Sequence, residues 1–215
     1  MKKTILILVM LSFGTMAWAQ EGQDYEMKTI FGNKGIRSNG GYGAVTTAYS
    51  KIDDRDAIMI GGRGAWLINH SIGIGLSGTG FLTDYKFDTE LNQEYQLVGG
   101  YGGLLLEFIV NPKSAVHLSF PVTIGAGGMT YIERNGIFDN PGVNPFIEDS
   151  QAFFVVEPGV EVDLNVLKFM RVAFGASYRF TSDIDLTYAN TGNSIVGSDA
   201  LQGFSAGITL KFGKF

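Results

Sequence analysis

From Gln151 to Leu164 the chain alternates with a period of two. Ala152, Phe154, Val156, Pro158, Val160, Val162 and Leu164 share one face; Gln151, Glu157, Gly159, Glu161 and Asp163 share the other. Met170 to Phe180 repeats the pattern, with Met170, Val172, Phe174, Ala176, Tyr178 and Phe180 set against Arg171, Ala173, Gly175, Ser177 and Arg179. Such alternation predicts strands lying between two unlike media. The two stretches predict a hairpin joined by Asn165 to Phe169, with Asp163 and Glu161 near Arg171 as cross-strand partners of opposite charge.

The same period runs through the rest of the chain. A first strand is expected at about Gly40 to Ser50, then a charged turn, Lys51 to Asp56, and a second strand, Ala57 to Ile68, with Ile58, Ile60, Trp66 and Ile68 on its apolar face. Asn69-His70-Ser71 reads as a turn, Ile72 to Thr83 as the third strand, Asp84 to Glu94 as a polar loop, and Tyr95 to Val110 as the fourth strand, with Glu107 inward. Asn111-Pro112-Lys113 is a tight turn. Ser114 to Tyr131 is the fifth strand, with Val116, Leu118, Phe120, Val122 and Ile124 facing away from His117, Ser119, Pro121 and Thr123. Loops at Ile132 to Ser150 and Thr181 to Asp199 flank the hairpin described above, and Ala200 to Phe215 is the eighth strand.

The connections sort by kind. Those after the second, fourth and sixth strands are short; those after the first, third, fifth and seventh are longer or more polar. Outer-membrane barrels have short periplasmic turns, long outer loops and an even strand number, and segments of about ten residues suffice to cross when tilted. The predicted fold is therefore all-β, an eight-stranded antiparallel up-and-down transmembrane barrel over residues 39–215. Trp66, outward at the periplasmic end, sits where an aromatic girdle would lie. A soluble secreted β-sandwich is the alternative, although it gives no reason for the sorted loops.

Composition adds the route. Met1-Lys2-Lys3, the apolar run Ile5 to Phe13 and Ala17-Trp18-Ala19 read as a signal peptide, residues 1–19, followed by a periplasmic leader, residues 20–38. Loss of Lys2 and Lys3 with it takes the formal charge from −5 to −7, which leaves no basic footprint for nucleic acid. With no Cys, disulfides and thiolate metal sites are excluded.

The signal, the eight alternating segments and the terminal aromatic resemble the small outer-membrane barrels of the OmpA and OmpX type. Gly61 to His70 and Val98 to Gly103 look like a glycine-rich group of these barrels without assigned activity. The resemblance implies an assembly signal at Phe212 and Phe215 read by the barrel assembly machinery, and contacts with outer-membrane lipid and lipopolysaccharide. One departure is visible: Phe204, Ala206, Ile208, Leu210 and Phe212 share a face and Phe215 falls on the other. Either the strand ends near Phe212 with a short tail, or a bulge shifts the register.

Candidate chemistry lies inside. The expected inward set comprises Arg63, Glu107, His117, Ser119, Glu157, Glu161, Asp163, Arg171, Arg179 and Lys211. An eight-strand barrel is filled by its own side chains, so these charges are expected to pair as an internal network; a polar track for ions or a small solute is the alternative. His117, Ser119 and Glu107 are the residue types of an acyl-transfer triad, and the lipid A deacylases carry a similar His-x-Ser in a strand. Here the pair points into the lumen, away from lipid, so no enzyme activity is expected. Gly73 to Gly78 spells a dinucleotide fingerprint without the helix it requires, so no cofactor is expected. His70 has no ligand companion, so no metal site is expected there. Phe138 and Phe146 in the Ile132 to Ser150 loop are expected either to pack over the mouth or to form a recognition surface. Asp139, Glu148, Asp149, Asp183 and Asp185 are candidates for divalent cations. The expected role is structural or surface interaction through the loops; a narrow channel and an envelope-lipid-modifying enzyme are the alternatives.

Overall fold

A computed structural model of the chain describes residues 39–133 and 147–215. Residues 1–38, where a signal peptide and a leader are expected, and Phe138, Asp139 and Phe146 lie outside the described residues. Nine strands run in order: β1 (Asn39–Ile52), β2 (Arg55–Ile68), β3 (Ile72–Thr83), β4 (Lys86–Asp88), β5 (Gln93–Val110), β6 (Val116–Glu133), β7 (Ile147–Leu167), β8 (Met170–Thr181) and β9 (Gly203–Lys214). All pairings are antiparallel between sequence neighbours except two that close the ring, β1 with β9 and β3 with β5. Eight long strands thus form a barrel without an open edge. β4 is a short outgrowth on β5, with Phe87 opposite Glu94, in the stretch expected to be a polar loop.

Several boundaries differ from the alternation, each through turn geometry. The charged turn shrinks to Asp53 and Asp54, both at positive φ (52° and 58°), as a two-residue turn matched to the twist of the flanking strands requires. Asn69 and His70 repeat this device, at 52° and 61°. β7 extends to Leu167 through a bulge near Asn165, leaving only Lys168 and Phe169 as the turn. β9 begins at Gly203, and Ala200 to Gln202 belong to the loop before it.

Burial follows the two faces. Val45, Ile60, Leu76, Leu104, Phe174 and Ile208 point outward and are 45% or more exposed, as is Trp66. Tyr42, Leu67, Leu105, Phe81, Met129 and Phe153 point inward and are buried. Apolar exposure of this extent around a closed wall is incompatible with water and suits hydrocarbon.

β5 and β6 have 18 residues each and β7 has 21, well beyond the 9–11 or so that cross a bilayer. Their surplus lies at the long-loop end and projects past the apolar wall. There Tyr95 stacks on Tyr131 at 4.8 Å, and the Arg55 guanidinium lies 5.4 Å from the centre of the Tyr131 ring.

Phe215 leaves the β9 ladder as a tail, with no register shift in either ladder of that strand. Its ring turns under the barrel, stacked 6.0 Å from that of Tyr42, whereas Phe212 faces outward.

Candidate functional site: the plugged lumen and its latched mouth

The inward face of the wall brings six of the ten inward residues together: Arg63, Glu107, Ser119, Glu161, Asp163 and Lys211. Lys211 Nζ, on β9, lies 2.8 Å from Glu107 Oε1, 3.0 Å from Glu161 Oε2 and 2.8 Å from Asp163 Oδ1. Arg63 reaches Glu161 from β2 with 2.7 and 2.5 Å hydrogen bonds from one nitrogen to the two carboxylate oxygens. Tyr42 donates its phenol to Glu107 Oε2 at 2.6 Å, and Ser119 donates to Asp163 Oδ2 at 2.5 Å. Six strands (β1, β2, β5, β6, β7 and β9) meet in this cluster, which therefore cross-links the barrel through its interior. Buried charges are tolerable only when paired and hydrogen-bonded in this way.

The other inward residues stand apart. Glu157 accepts from Tyr101 at 2.6 Å and Ser177 at 2.7 Å. Arg179, fully buried, donates through Nε to the Leu201 carbonyl at 2.7 Å and lies 5.9 Å from the centre of the Tyr101 ring. Arg171 corrects the hairpin expectation: its ladder partner is Asn165, while Asp163 faces Ala173 and Glu161 faces Gly175. Both carboxylates turn to Lys211 instead, because an inward side chain in a narrow barrel meets residues across the lumen as well as its ladder neighbours.

The triad geometry is not assembled. His117 Nδ1 donates to the Ser114 carbonyl at 3.2 Å and Nε2 has no partner, while the Ser119 hydroxyl is committed to Asp163. A serine held by Asp163, with His117 turned to the Ser114 carbonyl, lacks the serine–histidine contact that acyl transfer by this triad needs. The Gly73 to Gly78 spelling lies on β3 and starts no helix.

Two apolar layers lie on either side of a cavity of about 100 Å³ in mid-lumen, lined by Thr46, Ser77, Thr123, Thr209, Glu157 and others. Below it, Tyr42, Ala44, Ala65, Leu67, Leu105 and Ile109 pack together, with Phe215 against them. Above it lies a larger cluster containing Met59, Phe81, Tyr101, Met129 and Phe153, joined by Ile184, Leu186, Val196, Ala200 and Leu201 from the β8–β9 loop. That loop is therefore a lid. Its apolar residues gave no periodic signal, since they fill a mouth and follow no strand face.

Acidic side chains hold the lid by its backbone. Asp149 accepts from the Thr187 N–H and Glu148 from the Ala189 N–H, both at 2.8 Å, and Gln151 accepts from the Asp185 N–H. Asp88 on β4 accepts from the phenols of Tyr188 at 2.6 Å and Tyr131 at 2.8 Å. This corrects the cation expectation for Glu148 and Asp149, which are occupied as acceptors. Among the described residues no group of three or more His, Asp or Glu is placed to hold a metal.

Burial pushes the Asp88 carboxyl up, but hydrogen bonds from Tyr188, Tyr131 and the Leu91 and Glu90 N–H groups outweigh it and hold it below the usual carboxylate range. A depressed folded value contributes stability above the ordinary carboxylate pKa of about 3.9 that is lost as pH falls through the lower, folded value. The lid contacts are therefore expected to persist through the neutral and mildly acidic range and to loosen only below about pH 4. Limited proteolysis in the 182–202 loop, followed against pH, measures this. Loosening near pH 6 would contradict it, and Asp88→Asn is expected to open the lid at every pH.

A closed eight-strand wall, apolar outside, charged within and with short turns at one end, defines a transmembrane β-barrel of the bacterial outer membrane. In barrels of this kind short turns face the periplasm and long loops the outside, which assigns the short turns here to the periplasmic side and the lid to the extracellular side. In fold the chain is similar to the Neisserial surface protein A, with 12% identity over 82% of this chain and 97% of that one and a TM-score of 0.48. It is likewise similar to the N-terminal barrel domain of Pseudomonas aeruginosa OprF, with 10% identity, 80% and 96% coverage and a TM-score of 0.43. A third similar structure is Ail of Yersinia pestis, solved with the heparin analogue sucrose octasulfate, at 10% identity, 81% and 96% coverage and a TM-score of 0.41. No protein-family model matches the chain, and no curated protein matches it.

Proposed function

We propose that this protein is a non-conducting, non-enzymatic outer-membrane barrel with a structural and surface-interaction role, exercised through its extracellular platform. The observation that carries this reading is the division of labour between the lumen and the projecting sheet. The lumen is filled by an ion-pair cluster between two apolar layers, and its cavity has room for several waters. The projecting parts of β5, β6 and β7, braced by β4 and the latched lid, form a rigid surface beyond the membrane, where Phe87 and Ile147 are more than half exposed. Rigid scaffolds presenting loops are the usual site of recognition. Phe138 and Phe146, which lie in sequence between β6 and β7 and outside the described residues, belong to the same proposal, as do Phe212 and Phe215 as the assembly signal.

Planar-bilayer recording of the purified protein is expected to give no unitary current at moderate voltage. Stepwise conductance would replace this reading with that of a narrow channel. Unchanged envelope lipid in a cell carrying His117→Ala is the matching expectation against an enzyme.

A further inference from the structure

Charge is segregated along the barrel axis. The extracellular end carries Asp53, Asp54, Asp84, Asp88, Glu90, Asp183 and further acids against Lys51, Arg55 and Lys86. The three periplasmic turns carry His70, Lys113 and Lys168 and, among the described residues, no Asp or Glu. These turns surround an open cavity of about 740 Å³, lined by His70, Lys113, Asn165, Lys168, Arg171 and Phe215 with their neighbours. The turns are tied to one another: the Asn165 N–H donates to the Ala115 carbonyl at 2.8 Å, and its side-chain amide to the Ser114 carbonyl at 2.7 Å.

Arg171 is the unusual member. It is only 3% exposed, its guanidinium lies 3.9 Å from the centre of the Phe215 ring, and its one hydrogen bond among the described residues is a long 3.4 Å contact to the Pro112 carbonyl. Nε has no partner, and no described carboxylate lies within ion-pair distance. Asp163, an inward carboxylate on the neighbouring strand β7, is taken by Lys211 and Ser119. Asp163 and Glu107 act on it only from beyond ion-pair distance; a buried guanidinium with no carboxylate in contact is costly, and a planar fork of N–H donors suits a two-oxygen anion. Two flexible lysines on adjacent turns supply the remaining positive charge in an exposed setting where an incoming anion can reach them.

We propose that this periplasmic vestibule binds an oxyanion group, phosphate or carboxylate, borne by a periplasmic molecule, with Arg171 as the buried anchor and Lys113 and Lys168 as flanking cations. Stacking on Phe215 holds the guanidinium in place, so the site is built before the ligand arrives. The site lies at the opposite end from the extracellular platform and is independent of the role proposed for it.

NMR titration of the full chain in zwitterionic nanodiscs tests this, using sodium phosphate and, separately, sodium acetate, each balanced with chloride to constant ionic strength. Saturable shifts of the Arg171 Nε–Hε signal and of the Lys113 and Lys168 amides are expected with at least one of the two anions. The stronger arm identifies the group as phosphate or carboxylate. Lys113→Gln with Lys168→Gln alters only exposed turn positions, and is expected to weaken binding about tenfold while the folded barrel keeps its heat-dependent gel mobility. Arg171→Lys keeps the charge, loses the fork and is expected to weaken binding as well. Shifts that are the same in chloride alone, or binding indifferent to the paired lysine substitution, would overturn the proposal.

Discussion

Lys211→Met is expected to destabilise the barrel by about 3–5 kcal/mol, the cost of leaving buried charges without their partner. Lys211 Nζ sits within 3.0 Å of Glu107, Glu161 and Asp163, and its side chain is 1% exposed. Without it, Glu107 retains Tyr42, Asp163 retains Ser119 and Glu161 retains Arg63, so three carboxylates share one cation. Like charges held close together in a narrow lumen repel strongly, and the wall cannot move apart to separate them without breaking its ladder. The measurement is the urea midpoint of the protein in lipid vesicles. The control is the same substitution combined with Glu107→Gln and Asp163→Asn, expected to recover more than half of the loss because the uncompensated charge is gone. If the triple variant is no more stable than Lys211→Met, packing of the lysine stem and not charge compensation holds the cluster together.

How much of this arrangement was legible in the sequence depends on the distance over which each feature is decided. Strand faces are local. Val160 outward and Glu161 inward follow from a period of two and from a wall with lipid on one side, and the eight long strands and their direction follow with them. Partners inside the barrel are not local. Lys211 meets Glu107 across 104 positions of sequence, in a ring closed by pairing of β1 with β9, so the 151–180 hairpin alone points Asp163 to Arg171 and not to Lys211. β4 was illegible for a different reason, since three residues are too few to show a period. The acids at 148 and 149 could be read as ligands from their type alone. Their work as acceptors for backbone N–H groups of the lid is set by where the lid lands. Phe215 had the parity problem noted in the sequence, and the fold resolves it by using the residue as part of the floor under Tyr42.

Gly75→Val is expected to block barrel assembly, with loss of the heat-dependent gel shift and accumulation of unfolded chain. A Cβ at Gly75 would lie 1.8 Å from the Gly64 carbonyl oxygen and 2.7 Å from the Ala65 Cα, both backbone atoms of β2. No rotamer relieves such a contact, because the obstacle is the neighbouring strand itself. Gly75 is paired with Ala65 in the ladder, so β2 and β3 must separate there, and the hydrogen bonds on either side are lost together. Ordinary overpacking costs roughly 1–3 kcal/mol because side chains yield; a backbone obstacle yields less, and the cost here is expected to exceed about 3 kcal/mol. Gly43→Ala provides the comparison, since a Cβ at that outward position meets nothing within 4 Å and is expected to change stability by less than about 0.5 kcal/mol. The difference between the two substitutions separates glycine needed for close approach from glycine that merely leaves the lipid face smooth. A Gly75→Val protein that assembles with an unchanged unfolding midpoint would mean that β2 and β3 do not pack at the distance described.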